Sequence, residues 1–323
     1  MKRYIFRRVP QLVPLIIFAI VLNFTLMHLA PGSPLDYLIG GGEVVPQEYI
    51  DKLNRDFGLD KPLHEQLIIY ISNVFRGNFG NSYRYRAPVI QIIAQRIPNT
   101  LLLMTTSIVF AFILGVFLGI SSSKKPYSFI DNIASSISIL GYSIPTFWLG
   151  MLLIIVFAVN LRWLPSLGMS TMGMIGLTGW AAVIDTVRHL ILPTITLGTA
   201  YLALYTRLTR ASMLEELRKD YIITAWGKGL DDRTVYYKHA FRNAMLPIIT
   251  VFGLNLGLML TGATLTETVF SWPGLGRLVY ESITTRDYPI LMGIFIIVSI
   301  TVVLANFIVD ILYAVLDPRV RYK

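Results

Sequence analysis

Cysteine is absent from this 323-residue chain, which excludes disulfides, a thiol nucleophile and any cysteine-ligated metal. Charge is scarce as well. Only 15% of residues are Asp, Glu, Lys or Arg, against 54% hydrophobic and a mean hydropathy of +0.61, a balance foreign to water-soluble globular domains. Of the four histidines only His28 falls well inside an apolar run, and the chain has no G-x-S-x-G serine. An intramembrane hydrolase would therefore lack both a positioned base and a nucleophile. No G-x-x-x-x-G-K-[ST] loop is present to hold a nucleotide's phosphates, so ATP hydrolysis within this chain is excluded.

What the chain does have is a series of charge-free windows. An ionised side chain at the bilayer centre costs about 2.5–3.5 kcal/mol, so uncharged runs of ~20 residues mark helices that cross it. Such runs cover 9–35, 97–123, 132–161, 189–206, 243–266 and 288–309. They predict an all-α membrane protein with six transmembrane helices, at 9–30, 99–122, 132–160, 189–206, 246–266 and 289–312. The first lacks a small-residue cleavage site and reads as a retained span, not a signal peptide. Pro98, Pro193, Pro247 and Pro289 lie near window starts, where a missing N–H does no harm, while Pro145 implies a kink within the third span. A further uncharged stretch, 163–184, contains Pro165 and Gly168, Gly173, Gly176 and Gly179, and reads as a folded outer loop.

Basic residues orient the bundle. With the N-terminus inside, the segments 1–8, 123–128, 207–242 and 315–323 carry 4, 2, 8 and 3 Lys/Arg, whereas the short outer segments 161–190 and 267–289 carry two each. The positive-inside rule then predicts cytoplasmic termini at 1–8 and 313–323, outer loops at 161–188 and 267–288, and a long external segment at 31–98. The net charge of +9 is thus a matter of topology and not a sign of nucleic-acid binding. Within the external segment, Tyr49, Ile50, Leu53 and Phe57 form one amphipathic pattern. Leu63, Leu67, Ile71, Val74 and Phe75 form a second, and together they suggest short surface helices capping the bundle.

Residues 207–245 are charged yet patterned. Leu214, Leu217, Tyr221 and Ala225 make an apolar stripe, Gly227 and Gly229 permit a tight reversal, and Asp231 or Asp232 can cap a second helix striped by Tyr237, Phe241, Ala244 and Met245. This is a helix–turn–helix lying on the cytoplasmic surface, and a turn of small residues can enter a partner's groove.

The stretch DYIITAWGKGL…HAFRNAMLP at 220–247 resembles the cytoplasmic coupling motif of ATP-binding-cassette importer permeases of the peptide and nickel uptake family. Further similarities run along the whole chain, in order: APGSP at 30–34, FGLDKPLHEQ at 57–66, RGNFGNS at 76–82, RIPNTL at 96–101, SIPTFWLG at 143–150, ETVFSWPGLGRLV at 267–279, RDYP at 286–289 and DPRVR at 317–321. The ordered set is similar to the first, B-type, permease subunit of dipeptide and oligopeptide transporters. The resemblance implies a type I ABC importer permease fold in a prokaryotic plasma membrane. It also implies a homologous second permease, two ATPase subunits that hold ATP and Mg, and an external substrate-binding protein; no cofactor is expected in this chain itself. Carried over by position, Asp220, Thr224, Ala225, Gly227, Lys228, Gly229 and Leu230 form the turn that docks on the ATPase. Ile223 replaces the motif's acidic residue, and Gly227 stands where the peptide family more often has alanine.

Polar residues in the spans are candidates for lining a path, notably Tyr142, Ser143, Asn255, Thr261 and Thr264, although most Ser, Thr and Asn in membrane helices serve helix–helix hydrogen bonding. Relatives of this kind carry peptides, nickel or oligosaccharides. A proton-driven secondary transporter is the rival class, but the spans hold almost no charge and no repeat relates the two halves.

Overall fold

The computed structural model describes residues 2–29, 61–171 and 179–316, whose regular structure is helical, with no strand among them and only an isolated antiparallel bridge between Asn81 and Pro88. The helices are α1 (Lys2–Leu29), α2 (Leu63–Phe75), α3 (Val89–Lys124), α4 (Phe129–Ser143), α5 (Thr146–Leu153), α6 (Trp180–Leu217), α7 (Asp220–Gly227), α8 (Asp232–Thr234), α9 (Phe241–Gly257), α10 (Thr264–Val269), α11 (Leu275–Thr284) and α12 (Tyr288–Leu316). Two stretches wind as π-helix: Ile154–Asn160 continues α5, and Val235–Ala240 joins α8 to α9.

The chain divides into two compact units. The first holds residues 1–100, 260–264 and 274–323; the second holds 101–259 and 265–273. Two clusters form the core of the first unit. In one, Ile20 and Phe24 of α1 meet Tyr70 and Val74 of α2 and Met292 and Ile296 of α12. In the other, Val89 and Ile93 of α3 pack with Leu275 and Leu278 of α11 and Ile290 and Ile294 of α12.

The second unit is organised around α6. Its tightest approach is to α3, at Gly115 and Gly119, a G-x-x-x-G pair: a Cβ on Gly115 would stand 2.6 Å from Cβ of Tyr205, and one on Gly119 would stand 2.5 Å from Cβ of Thr209. Without a hydrophobic driving force between helices in lipid, such backbone-to-backbone contact is what van der Waals association needs.

Several expected boundaries shift. Among the described residues, three helices are long and apolar enough to cross a membrane: α3, α6 and Tyr288–Phe307 of α12. Helix α1 runs unbroken from Lys2 to Leu29 and so covers the expected span 9–30 up to Leu29, whereas α9 has 17 residues followed by a 3₁₀ turn at Met259–Thr261, so the expected span 246–266 is not one uninterrupted helix. The expected span 132–160 is likewise broken, with α4 and α5 meeting at 104°. Pro145 is the reason. It forces Ile144 into an extended conformation at ψ 126, which ends α4, and it then opens α5 from outside the helix. Of the four, only Pro289 sits in a first turn; Pro98 and Pro193 are interior because α3 and α6 begin well before the apolar windows do, and Pro247 is interior because α9 starts at Phe241 as the continuation of the π stretch. The outer loop expected at 161–188 is cut short by α6, which starts at Trp180, and the loop expected at 267–288 contains the second half of α10 and all of α11.

On α2 the buried face is Gln66, Tyr70 and Val74, with Leu63 and Phe75 exposed, so the stripe is rotated by about one position from the expected one. Gln66 explains the shift: its side-chain oxygen accepts from His28 Nε2 at 3.2 Å and its amide nitrogen donates to the Lys61 carbonyl at 2.8 Å, so a polar residue is drawn inward. The pattern at Tyr49, Ile50, Leu53 and Phe57, residues 172–178, the side chain of Asp310 and the end of the tail fall outside the described residues.

Candidate functional site

The turn at 220–230 is built by backbone chemistry. Helix α7 ends in a Schellman motif: the Gly229 N–H donates to the Trp226 carbonyl at 2.9 Å and the Leu230 N–H to the Ala225 carbonyl at 3.4 Å. Closing it requires a left-handed residue, and Gly229 supplies one at φ +76. Asp231 then caps α8, its carboxylate accepting from the Thr234 N–H at 3.2 Å; hydrogen bonds from Thr234 hold this carboxyl below the usual range.

One face of this helix is buried and the other is open. Ile222 and Ala225 enter a cluster with Ala111, Val116 and Ile120 of α3, Tyr205 and Met213 of α6, Val235 and Ala240 of the π stretch, and Ala244 and Ile248 of α9. Asp220, Thr224, Gly227, Lys228, Gly229 and Leu230 are exposed, and nothing lies within 4 Å of a Cβ built on Gly227 or Gly229. The small residues therefore play different parts. Ala225 faces inward and anchors the turn, while Gly227, which has no positive φ, leaves open space on the outside.

The apolar stripes also differ from the expected ones. Tyr221 is exposed and Ile222 buried; Tyr237 is 44% exposed, while Val235 and Ala240 are at 0%. The buried positions 235 and 240 are five apart, the hydrogen-bond span of a π-helix, and then run 240, 244, 248 at the four-residue span of an α-helix.

Polar contacts brace the turn from both sides. The Trp226 indole N–H donates to Asp232 at 3.2 Å and its ring meets Tyr236 edge-on at 6.5 Å. The Tyr221 hydroxyl donates to Glu216 at 2.6 Å and accepts from Asn243 at 2.9 Å, and Lys219 pairs with Glu216. Beside these lies an ion pair that sequence reasoning missed. Arg210 of α6 grips Asp131 of α4 with two bonds, Nε to Oδ1 at 2.6 Å and Nη2 to Oδ2 at 2.7 Å, and Asp131 also accepts the Tyr127 N–H at 2.8 Å. The Arg210 hydrogen bond outweighs burial and holds the Asp131 carboxyl below its usual range. The only signal in the sequence was the position of Asp131 as the last charge before an apolar window.

The candidate path residues separate. Tyr142 and Ser143, at the end of α4, are exposed, and Asn255 of α9 donates to the buried Tyr205 hydroxyl at 2.9 Å; all three belong to the second unit. Thr261 and Thr264 belong to the first, where Gly276 lies so close that a Cβ on it would be 2.6 Å from Cα of Thr264. Other hydroxyls serve local structure, as expected: Ser138 bonds the Ala134 carbonyl and Thr199 that of Ile195, while Asn23 joins α1 to the Met292 carbonyl of α12.

In the first unit the short motifs that stood apart in sequence meet in pairs. Asp287 of RDYP accepts the Ser82 hydroxyl at 2.5 Å and the Arg84 N–H at 3.2 Å, which locks the loop after RGNFGNS. Thr100 of RIPNTL accepts the Leu275 N–H of WPGLGRL at 2.7 Å.

Comparison with known proteins bears directly on this architecture. A chain of the inward-facing MetNI methionine ABC transporter superposes with a TM-score of 0.52, covering 71% of this chain and 97% of that one at 18% identity, which establishes a shared fold. Over their full lengths and all of this chain, 40% identity is found with the di/tripeptide transport system permease protein DppB of Pseudomonas aeruginosa and with the oligopeptide transport system permease protein AppB of Bacillus subtilis. The glutathione transport system permease protein GsiC of Escherichia coli is 41% identical, again at full length. Residues 1–104 match the N-terminal model of binding-protein-dependent transport system membrane components, and residues 111–322 match the model of the inner membrane component. The chain therefore belongs to the family of binding-protein-dependent transport system inner membrane components, as an ABC importer permease.

Proposed function

We propose that this permease forms half of the translocation path of a peptide importer in a prokaryotic plasma membrane, with both termini cytoplasmic and six membrane passages. A second permease completes the path, an external binding protein delivers di- or oligopeptides, and two partner ATPases hold the ATP and Mg. Support for peptides comes from relatives named for di/tripeptide, oligopeptide and glutathione transport; nickel and oligosaccharides are the alternatives.

One observation carries the mechanical part: the turn at 220–230 is open on its outer face while its inner face is packed against α3, α6 and α9. An ATPase that seats this turn in a groove displaces Ile222 and Ala225, and close packing passes the displacement to three helices without slack. Asp220, Thr224, Gly227, Lys228, Gly229 and Leu230 are the contacting surface in this reading, and Ala225 is its anchor. Alternating access follows as the helices rock between inward- and outward-open states.

Because the chain has no cysteine, Lys228→Cys creates a unique thiol. Cross-linking from it in native membranes should capture an ATPase, and Gly229→Glu should abolish uptake with membrane insertion unchanged. Labelling of that thiol from the external side, or full uptake by the Gly229 variant, overturns the docking. Uptake by the purified chain alone under a proton gradient would point to a secondary transporter instead.

A further inference from the structure

Lys124, the last residue of α3, and its neighbour Lys125 line a cleft of about 660 Å³ together with Asp232, Arg233, Tyr236 and Tyr237. We propose that this cleft binds the phosphodiester headgroup of an anionic phospholipid. Three cations face a single carboxylate, and that carboxylate, Asp232, is already engaged by the Trp226 indole N–H. Asp131, the other acid close by in sequence, does not line the cleft and is paired with Arg210. The cationic side of the cleft is also pre-arranged. Lys124 Nζ donates to the Tyr237 hydroxyl at 3.1 Å and lies 4.8 Å from that ring's centre, and the Tyr236 hydroxyl covers the Lys124 carbonyl at 3.3 Å, masking a helix-end oxygen that would repel an anion.

The surroundings favour a lipid over a soluble anion. Directly after the lysines come Tyr127, Phe129 and Ile130, with 87%, 79% and 58% of their surfaces exposed, followed along α4 by the exposed Ile133 and Ile137. Such a run, beginning where an apolar helix of 36 residues ends, belongs at the boundary between headgroups and acyl chains. Ser128 caps α4 and the Tyr127 N–H is fixed to Asp131, so the apolar run is held beside the cleft. A headgroup in the cleft would thus have its chains lying along Phe129 and Ile133, and basic pockets at the membrane surface are established headgroup sites. The proposal rests on membrane placement and is independent of ATPase docking at the turn.

Native mass spectrometry of the full-length chain, released from micelles holding equal phosphatidylglycerol and phosphatidylcholine, tests it. The wild type should retain phosphatidylglycerol selectively. Lys125→Gln, at an exposed position, should weaken retention about fivefold, and the double variant with Arg233→Gln roughly thirtyfold, with an unchanged size-exclusion profile. Equal retention of both lipids, or undiminished retention by the double variant, overturns the proposal. So does displacement of the lipid by millimolar inorganic phosphate, which assigns the cleft to a free anion. Loss of ATPase co-purification from native membranes with lipid retention intact assigns it instead to a protein partner.

Discussion

Removing the Arg210 guanidinium should destabilise the second unit by about 3 kcal/mol. Breaking one side of a buried ion pair typically costs about 3–5 kcal/mol, because the surviving charge is left in a poor solvent. The lower end applies here: the Asp131 side chain is 3% exposed, but that of Arg210 is 28% exposed, so water can reach part of the vacated site, and the Tyr127 N–H continues to serve the carboxylate. Arg210→Ala should therefore lower the midpoint of an SDS titration of the full chain in mixed micelles. Adding Asp131→Asn should recover about 2 kcal/mol, since an uncharged amide can still accept from Tyr127 and no longer needs a cation. Acid provides an independent check. The folded-state carboxyl titrates below its ordinary value of about 3.9, so the pair's contribution is complete above that value and is lost as pH falls through the lower, folded one. The wild type should lose stability steeply in that acid window and Arg210→Ala much less. A change under about 0.5 kcal/mol for Arg210→Ala, or no relief from Asp131→Asn, refutes the reasoning.

Gly119→Val places a branched side chain where even Cβ stands 2.5 Å from Thr209 Cβ and 2.8 Å from the Thr206 carbonyl, so α3 and α6 must separate; a drop of about 1–3 kcal/mol in the same titration is expected, against under about 0.5 for Gly253→Ala, which faces open space. Asp287→Ala strips the acceptor from the Ser82 hydroxyl and the Arg84 N–H, and the loop at 82–87 should become protease-sensitive, with a stability loss of about 2 kcal/mol. Asp287→Asn, which keeps one acceptor oxygen, should retain more than half of the wild-type protection.

The helical character of the chain could be read from its charge-free windows, and so could the segment that carries the turn, because charge exclusion from lipid is a strong and local signal. Asp231 as a cap and Gly229 as the left-handed residue were equally legible, since both rest on backbone rules that hold whatever surrounds them. Boundaries were less so. Pro98 and Pro193 sit inside long helices because neighbouring turns outside the apolar windows are helical too, and a composition window cannot see polar helix. The break at Ile144 was written in the residue that precedes Pro145, but a charge-free run masked it as a single span. Side-chain pairing was beyond reach. Nothing in the spacing of Asp131 and Arg210, 79 residues apart, announces a contact, nor does anything in that of Ser82 and Asp287.

Between Thr234 and Phe241 the backbone winds with a longer period than an α-helix, and it therefore stores about one residue more than that length of α-helix would hold. A surplus of this kind is a reservoir of rotation: letting it out swivels everything downstream by about 100° around the axis, with little change in rise and no broken chain. Ala244 and Ile248 lie on one flank of that reservoir, and Ile222 and Ala225 on the other. The connection from the turn at 220–230 into α9 is consequently a torsional joint, able to convert a twist into a change of which side chains α9 presents.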